Sequence, residues 1–190
     1  MLKITDETHF FNPKFDIKHH VKKTKPLHIK VYDKLFYTIY HKQHEADLFF
    51  NKYNESLEKI KVIEQLEQVS LNNKNKILED ILSPEIQLYS LNALCVLWQI
   101  NIIWFSEYFY YEFIIDEHKP LCYLSNTYEW CDKMEGTRHK IQDIFKPLKS
   151  ISYYKLDELK EMGEGMNVTG KTKKDYYDVI FAYFKHIKLI

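Results

Sequence analysis

The segment GMNVTGKT, Gly165 to Thr172, satisfies the phosphate-loop pattern G-x-x-x-x-G-K-[ST] at every required position. In a nucleotide hydrolase this spacing works because a strand delivers the glycines to a tight turn. Backbone N–H groups then enclose phosphate, and the next helix points its positive end at the anion. The neighbourhood here differs. The preceding YYKLDELKEMGE puts Tyr153, Leu156, Leu159 and Met162 at helical spacing, so a helix leads into the loop. Only 18 residues follow Thr172, enough for one helix to about Lys188 but not for a parallel sheet and a magnesium-holding acidic strand. Thr172 reads instead as an N-cap, with Asp175 three positions on completing a capping box, while Gly163, Gly165 and Gly170 end one helix and turn the chain. We therefore expect no bound nucleotide and no cofactor.

Other chemistry is weaker. Cys122, Cys131, His118 and His139 share one region, but the intervals of eight and seven residues separating Cys122, Cys131 and His139 match no common zinc finger or ribbon, so no metal site is expected. His19 and His20 belong to the basic run KHHVKKTK. NES and NVT fit the glycosylation pattern but carry no weight without a secretory signal. LCVLWQINIIWF leading to a YYEF strand resembles, loosely, OTU-like and papain-like cysteine peptidases, whose nucleophile is a cysteine at a helix start. At that place KLFYTIYH offers Thr38, and Cys95 lies on an apolar face with Leu91, Leu94 and Trp98. The resemblance then implies an inactive remnant, and no catalytic residue is expected.

The elements that would carry these residues can be read from periodicity. An extended arm covers 1–26, with Asn12-Pro13 and Pro26. A helix begins near Ile29 with Val31, Leu35, Tyr37/Thr38 and Ile39, and a further apolar set is Leu48, Phe49 and Phe50. Asn54 caps a helix with Leu57, Ile60, Ile63 and Leu66 along one face. Ser83, Pro84 and Glu85 start another, running through Ile86, Leu91, Leu94 and Leu97 to Trp98. INIIWF and YFYYEFII around Ser106-Glu107 form a hairpin, PLCYLS offers a third strand, and Arg138 to Phe145 a short helix. The fold class is α+β: a mostly helical body with a small antiparallel sheet over 27–146, and a helix-extension-helix module over 147–190.

Two surfaces carry the binding expectations. From Lys146 onward nine lysines face six acids, a modest basic footprint. The segment LKSISYYKLDELKEMGEGMNVTGKTKKDYYDVIFAYF resembles the SAP, HeH and Rho amino-terminal-like modules. That resemblance implies nucleic-acid contact through Lys171, Lys173 and Lys174, with Lys155 and Lys160 as additions; the alternative is a solvated face of a docking module. The second surface is aromatic: Trp104, Phe105, Tyr108, Phe109, Tyr110, Tyr111 and Phe113 alternate to both sides of the hairpin. One side faces the core, and the other meets either a protein partner, through Trp104, Tyr108, Tyr110 and Tyr111, or the carboxy-terminal helices.

The whole chain balances 27 Lys and Arg against 27 Asp and Glu, so no global field draws it to nucleic acid or an anionic membrane. Three cysteines without a CxxC pair suit a reducing compartment. No apolar run is long enough for a membrane span, and the start MLKITDETHFF is no secretory signal. VYDKLFYTIYH, LNALCVLWQINIIWFSEYFYYEF and KPLKSISYYKLDELKEM together resemble an uncharacterised protein family of nucleocytoplasmic large DNA viruses of the mimivirus type. The resemblance implies a soluble virion or infected-cell protein, non-enzymatic and scaffolding, whose partners are other viral proteins; a nucleic-acid-binding accessory role is the alternative.

Overall fold

The structure, a computed structural model, describes residues 32–44 and 54–190. The expected arm over 1–26, the helix onset at Ile29 and Val31, and the set Leu48, Phe49 and Phe50 lie outside those residues. Tyr32–Ile190 forms one compact unit.

Its amino-terminal part is helical: α1 Lys34–Gln43, α2 Glu55–Leu66, α3 Lys74–Ile81 and α4 Leu91–Trp98. The start of α1, helix α2 and the connection between α3 and α4 are tied together at Asp33, which is 2% exposed. Its Oδ1 accepts the Phe36 N–H at 3.0 Å and so caps α1, while Oδ2 accepts from Lys59 Nζ at 2.7 Å and from the Ile86 N–H at 2.8 Å. Lys59 also donates to the Ser83 carbonyl at 2.7 Å, and Glu55 takes the Asp33 N–H. One buried ion pair thus satisfies backbone groups on α1 and on the connection before α4.

This hub overturns two expectations. The buried face of α2 holds Lys59, Val62 and Leu66, whereas Leu57 and Ile60 are 48% and 47% exposed. At about 3.6 residues per turn, the nine residues from Leu57 to Leu66 make about two and a half turns, so the two point to opposite sides. The second is the early start of α4. Residues Ser83 to Gln87 are not helical, a 3-10 turn occupies Leu88–Ser90, and the α-helix begins only at Leu91. The carboxylate of Asp33 holds the Ile86 N–H, and that of Asp80 takes the Gln87 N–H at 2.8 Å and the Ser90 hydroxyl at 2.5 Å. Tertiary partners have claimed the groups a helix start would use.

The sheet comprises β1 Asn101–Phe105, β2 Phe109–Phe113, β3 Leu121–Ser125, β4 Trp130–Cys131 and β5 His139–Lys140, in the order β4-β3-β1-β2-β5. The β1–β2 hairpin is present, with Trp104 opposite Tyr111. The sheet is mixed, however, not purely antiparallel: β3 runs parallel to β1, and β5 parallel to β2. The chain reaches β3 by crossing the end of β1, and Asn101, 1% exposed, secures that crossing. Its amide nitrogen donates to the carbonyls of Asp116 and Lys119, and its oxygen accepts the N–H groups of Ile115 and Asp116. The short helix expected at Arg138 to Phe145 is absent, because the edge of β2 recruits this segment: the N–H groups of His139 and Ile141 donate to Tyr108 and Tyr110 at 2.8 Å.

Two more helices, α5 Leu156–Met162 and α6 Lys173–His186, follow a 3-10 turn at Ile151–Tyr153. Phe184 of α6 meets Phe109 of β2 edge to face, centroids 4.6 Å apart, and Leu159, Met162 and Ile180 are buried in the same core. With six helices and a five-stranded sheet among the described residues, the fold is α+β. None of those helices is long and apolar enough to cross a membrane.

Candidate nucleic-acid interface

The approach to α6 is built from the segment that matches the phosphate loop. A helix, α5, leads into it, as the spacing predicts, and ends at Gly163. Gly165 then adopts a positive φ of 82°, a conformation open to glycine without strain. Thr172 caps α6: its hydroxyl accepts the Asp175 N–H at 3.3 Å, and the Asp175 carboxylate accepts the Thr172 N–H at 2.8 Å and hydroxyl at 2.7 Å. These bonds hold the Asp175 carboxyl below its ordinary range, the hydroxyl of Thr172 contributing most and its N–H next. Gly170 is required by the same group, because a Cβ there would fall on the Asp175 carboxylate. The position a phosphate would take at this helix end is filled by the chain's own anion.

Around that cap stand the predicted lysines. Lys171 and Lys174 are exposed, Lys173 is half-buried in the first turn, and Lys155 is exposed at the N-cap of α5. Among the described residues none of these four has a carboxylate within ion-pair distance, whereas Lys160 pairs with Asp157 at 3.2 Å. Lysines elsewhere are engaged: Lys34 with Glu129, Lys188 with Glu85, Lys140 with Glu112. The structure therefore gathers Lys171, Lys173 and Lys174 at one helix end without an ion pair among the described residues, while Lys160 is partly neutralised.

No family model, no curated protein and no solved structure matches the chain. Its chemistry has to be judged from its own side chains.

Of the four predicted partner residues, Trp104 is internal and Tyr108, Tyr110 and Tyr111 are half-buried. Trp104 is 2% exposed, a correction that follows from the place of β1 as the central strand, covered on both faces. Its Nε1 is buried without an acceptor among the described residues. Tyr108 packs edge to face on Tyr183 of α6, whose hydroxyl also accepts the Glu107 N–H at 3.1 Å. Tyr111 meets Phe113 edge to face, and burial raises its phenol pKa. Tyr110 is half-buried on the strand. Of the two covers left open by the sequence for this side, the carboxy-terminal helix is the one found over Tyr108 and Phe109.

Catalytic candidates fare no better. Cys95 is fully buried and its thiol pKa is pushed far up by burial, the reverse of what a nucleophile needs. Thr38 donates its hydroxyl to the Tyr128 carbonyl. Cys122 is half-buried and Cys131 exposed on neighbouring strands, and no three His, Cys, Asp or Glu among the described residues are placed to hold a metal. His139, its pKa lowered by burial against the opposing pull of Glu161, borders a cleft of about 390 Å³ rimmed by Glu107, Glu161 and Glu164. Arg138 lines the same cleft, so its rim is of mixed charge with acids in excess. Lys149 and Lys185 stand over the rings of Tyr153 and Phe181, as described below. The sequence reading passed over both, although Lys185 follows Lys173 by three four-residue steps along α6.

Proposed function

We propose that this chain is a non-enzymatic nucleic-acid-binding protein that grips phosphates with the lysines at the start of α6. One observation carries the reading: Lys171, Lys173 and Lys174 stand together around a helix end whose own anion is internal, without ion-pair partners among the described residues. Such lysines bind phosphate without reading sequence, and binding releases counterions. The inert Cys95 and the internally satisfied phosphate loop support a binding role over catalysis.

Fluorescence anisotropy across a salt series tests this on the full chain. Deleting the segment from Lys146 would remove Ile180 and Phe184 from the core, so charge reversal is the cleaner perturbation. Lys171, Lys173 and Lys174 changed together to Glu should weaken binding at every sequence. The change should also reduce the salt slope by about 2 to 3, roughly 0.9 for each phosphate that is no longer neutralised. Unaltered affinity and slope would remove these residues from the account.

The scaffolding role implied by the giant-virus resemblance is the second reading. Leu57 and Ile60, about half exposed on neighbouring turns of α2, favour it as a protein-facing patch. The same titration separates the two: no binding of any nucleic acid at low salt would leave these lysines facing protein or water.

A further inference from the structure

Along α6 the residues at four-residue intervals from Lys173 are Tyr177, Phe181 and Lys185, a basic residue at each end of an aromatic pair. The two rings are nearly parallel, 16° apart in plane and 6.3 Å between centroids, and Lys185 Nζ lies 5.1 Å from the Phe181 centroid. A second aromatic and lysine flank the stripe. The Tyr177 hydroxyl donates to the Lys149 carbonyl at 3.0 Å, and Lys149 Nζ stands 3.7 Å from the ring centroid of Tyr153. Phe181 is 38% and Tyr153 62% exposed, a poor environment for two large rings unless something covers them. No acid occupies one of these four positions, which at 1.5 Å and about 100° per residue extend about 18 Å and turn about 120° around the helix, although Asp178 stands next to Tyr177.

We propose that this stripe is a stacking track for single-stranded nucleic acid, with bases on Tyr153 and Phe181 and phosphates on Lys149, Lys173 and Lys185. The proposal rests on the nucleic-acid reading above and specifies its ligand. Charge complementarity selects this occupant: an apolar protein helix would leave three ammonium groups facing hydrocarbon, whereas an unpaired strand presents π-faces and phosphates in alternation. A closed duplex offers phosphates alone, since its bases are stacked on one another. Aromatic stacking needs no particular base, so the track is tolerant of sequence.

The test compares a short oligo(dT) with a blunt duplex of mixed sequence and equal length, by anisotropy on the full chain. Wild type should favour the single strand. Tyr153→Ala and Phe181→Ala should each weaken oligo(dT) binding by about 5- to 100-fold and leave duplex binding unchanged, and Tyr153→Phe should restore it. Both side chains are exposed, and circular dichroism checks that the variants keep the fold. Single-strand binding that ignores both alanine variants but falls with the Lys171, Lys173 and Lys174 reversal would overturn the track alone. Preference for duplex would do the same. Binding of neither probe at low salt would overturn the track together with the reading beneath it.

Discussion

Helices α1 and α6 both begin with an N-cap side chain that accepts a first-turn N–H, Asp33 in one and Thr172 backed by the Asp175 carboxylate in the other, yet the two starts differ in kind. Asp33 is buried, and its charge is answered by Lys59 at 2.7 Å. Asp175 is held by Thr172 at the surface, and the lysines beside it have no ion-pair partner among the described residues. Burial makes the difference. An acid out of water must have a counter-charge, so the cation near Asp33 is consumed by structure. An acid in water needs none, so the cations near Asp175 stay available to a ligand. An N-terminal cap thus joins the core in one place and lies among exposed lysines in the other.

Breaking the buried start should have the largest effect. Asp33→Ala would leave the Phe36 and Ile86 N–H groups without their acceptor and take from Lys59 its nearest carboxylate, with the Ser83 carbonyl at 2.7 Å and Glu55 at 3.5 Å remaining. We expect a loss of about 3–5 kcal/mol in urea denaturation, the range for a buried pair deprived of one partner. Combining Asp33→Ala with Lys59→Met should cost less than Asp33→Ala alone, because it removes a buried ammonium that has lost its nearest carboxylate. A double variant less stable than Asp33→Ala would show that the hub stabilises through packing and not through charge.

The exposed start should respond more weakly. Thr172→Ala removes one acceptor from the first turn of α6 and should cost about 1 kcal/mol. Hydrogen exchange should find the change confined to that turn, since opening there is local, whereas opening at Asp33 requires the core to come apart. A Thr172→Ala chain that exchanges faster throughout the core would erase the distinction between the two starts.

The same contrast explains how much could be read beforehand. The α6 cap was legible because Thr172 and Asp175 are three residues apart, and the β1–β2 hairpin because its strands are adjacent and punctuated by Ser106-Glu107. The hub was not, because a lysine in a buried stripe counts as polar in any periodicity, and its partner lies 26 residues away. The cap signal of Ser83 and Pro84 was genuine locally but was outbid by Asp33 and Asp80. The parallel placement of β3 depends on the Asn101 side chain holding a loop 15 to 18 residues on, and the docking of Tyr177 beside Lys149 on a contact 28 residues apart. At the candidate site the sequence supplied the lysines, while the fold supplied their lack of partners.

The smallest effect concerns pH and bears directly on the phosphate-loop match. The Asp175 carboxyl is depressed in the folded chain, so the cap's contribution is fully present above the ordinary carboxylate range. It is lost as pH falls through the lowered value. The Thr172 amide proton, followed by NMR, should therefore titrate below the normal range for aspartate, and Thr172→Ala should move the Asp175 midpoint back up. An Asp175 that titrates normally in both chains would mean that the carboxylate does not hold the helix end in solution. The N–H groups of Lys171 and Thr172 would then be open to an outside anion, and the pattern Gly165 to Thr172 would regain its claim to phosphate.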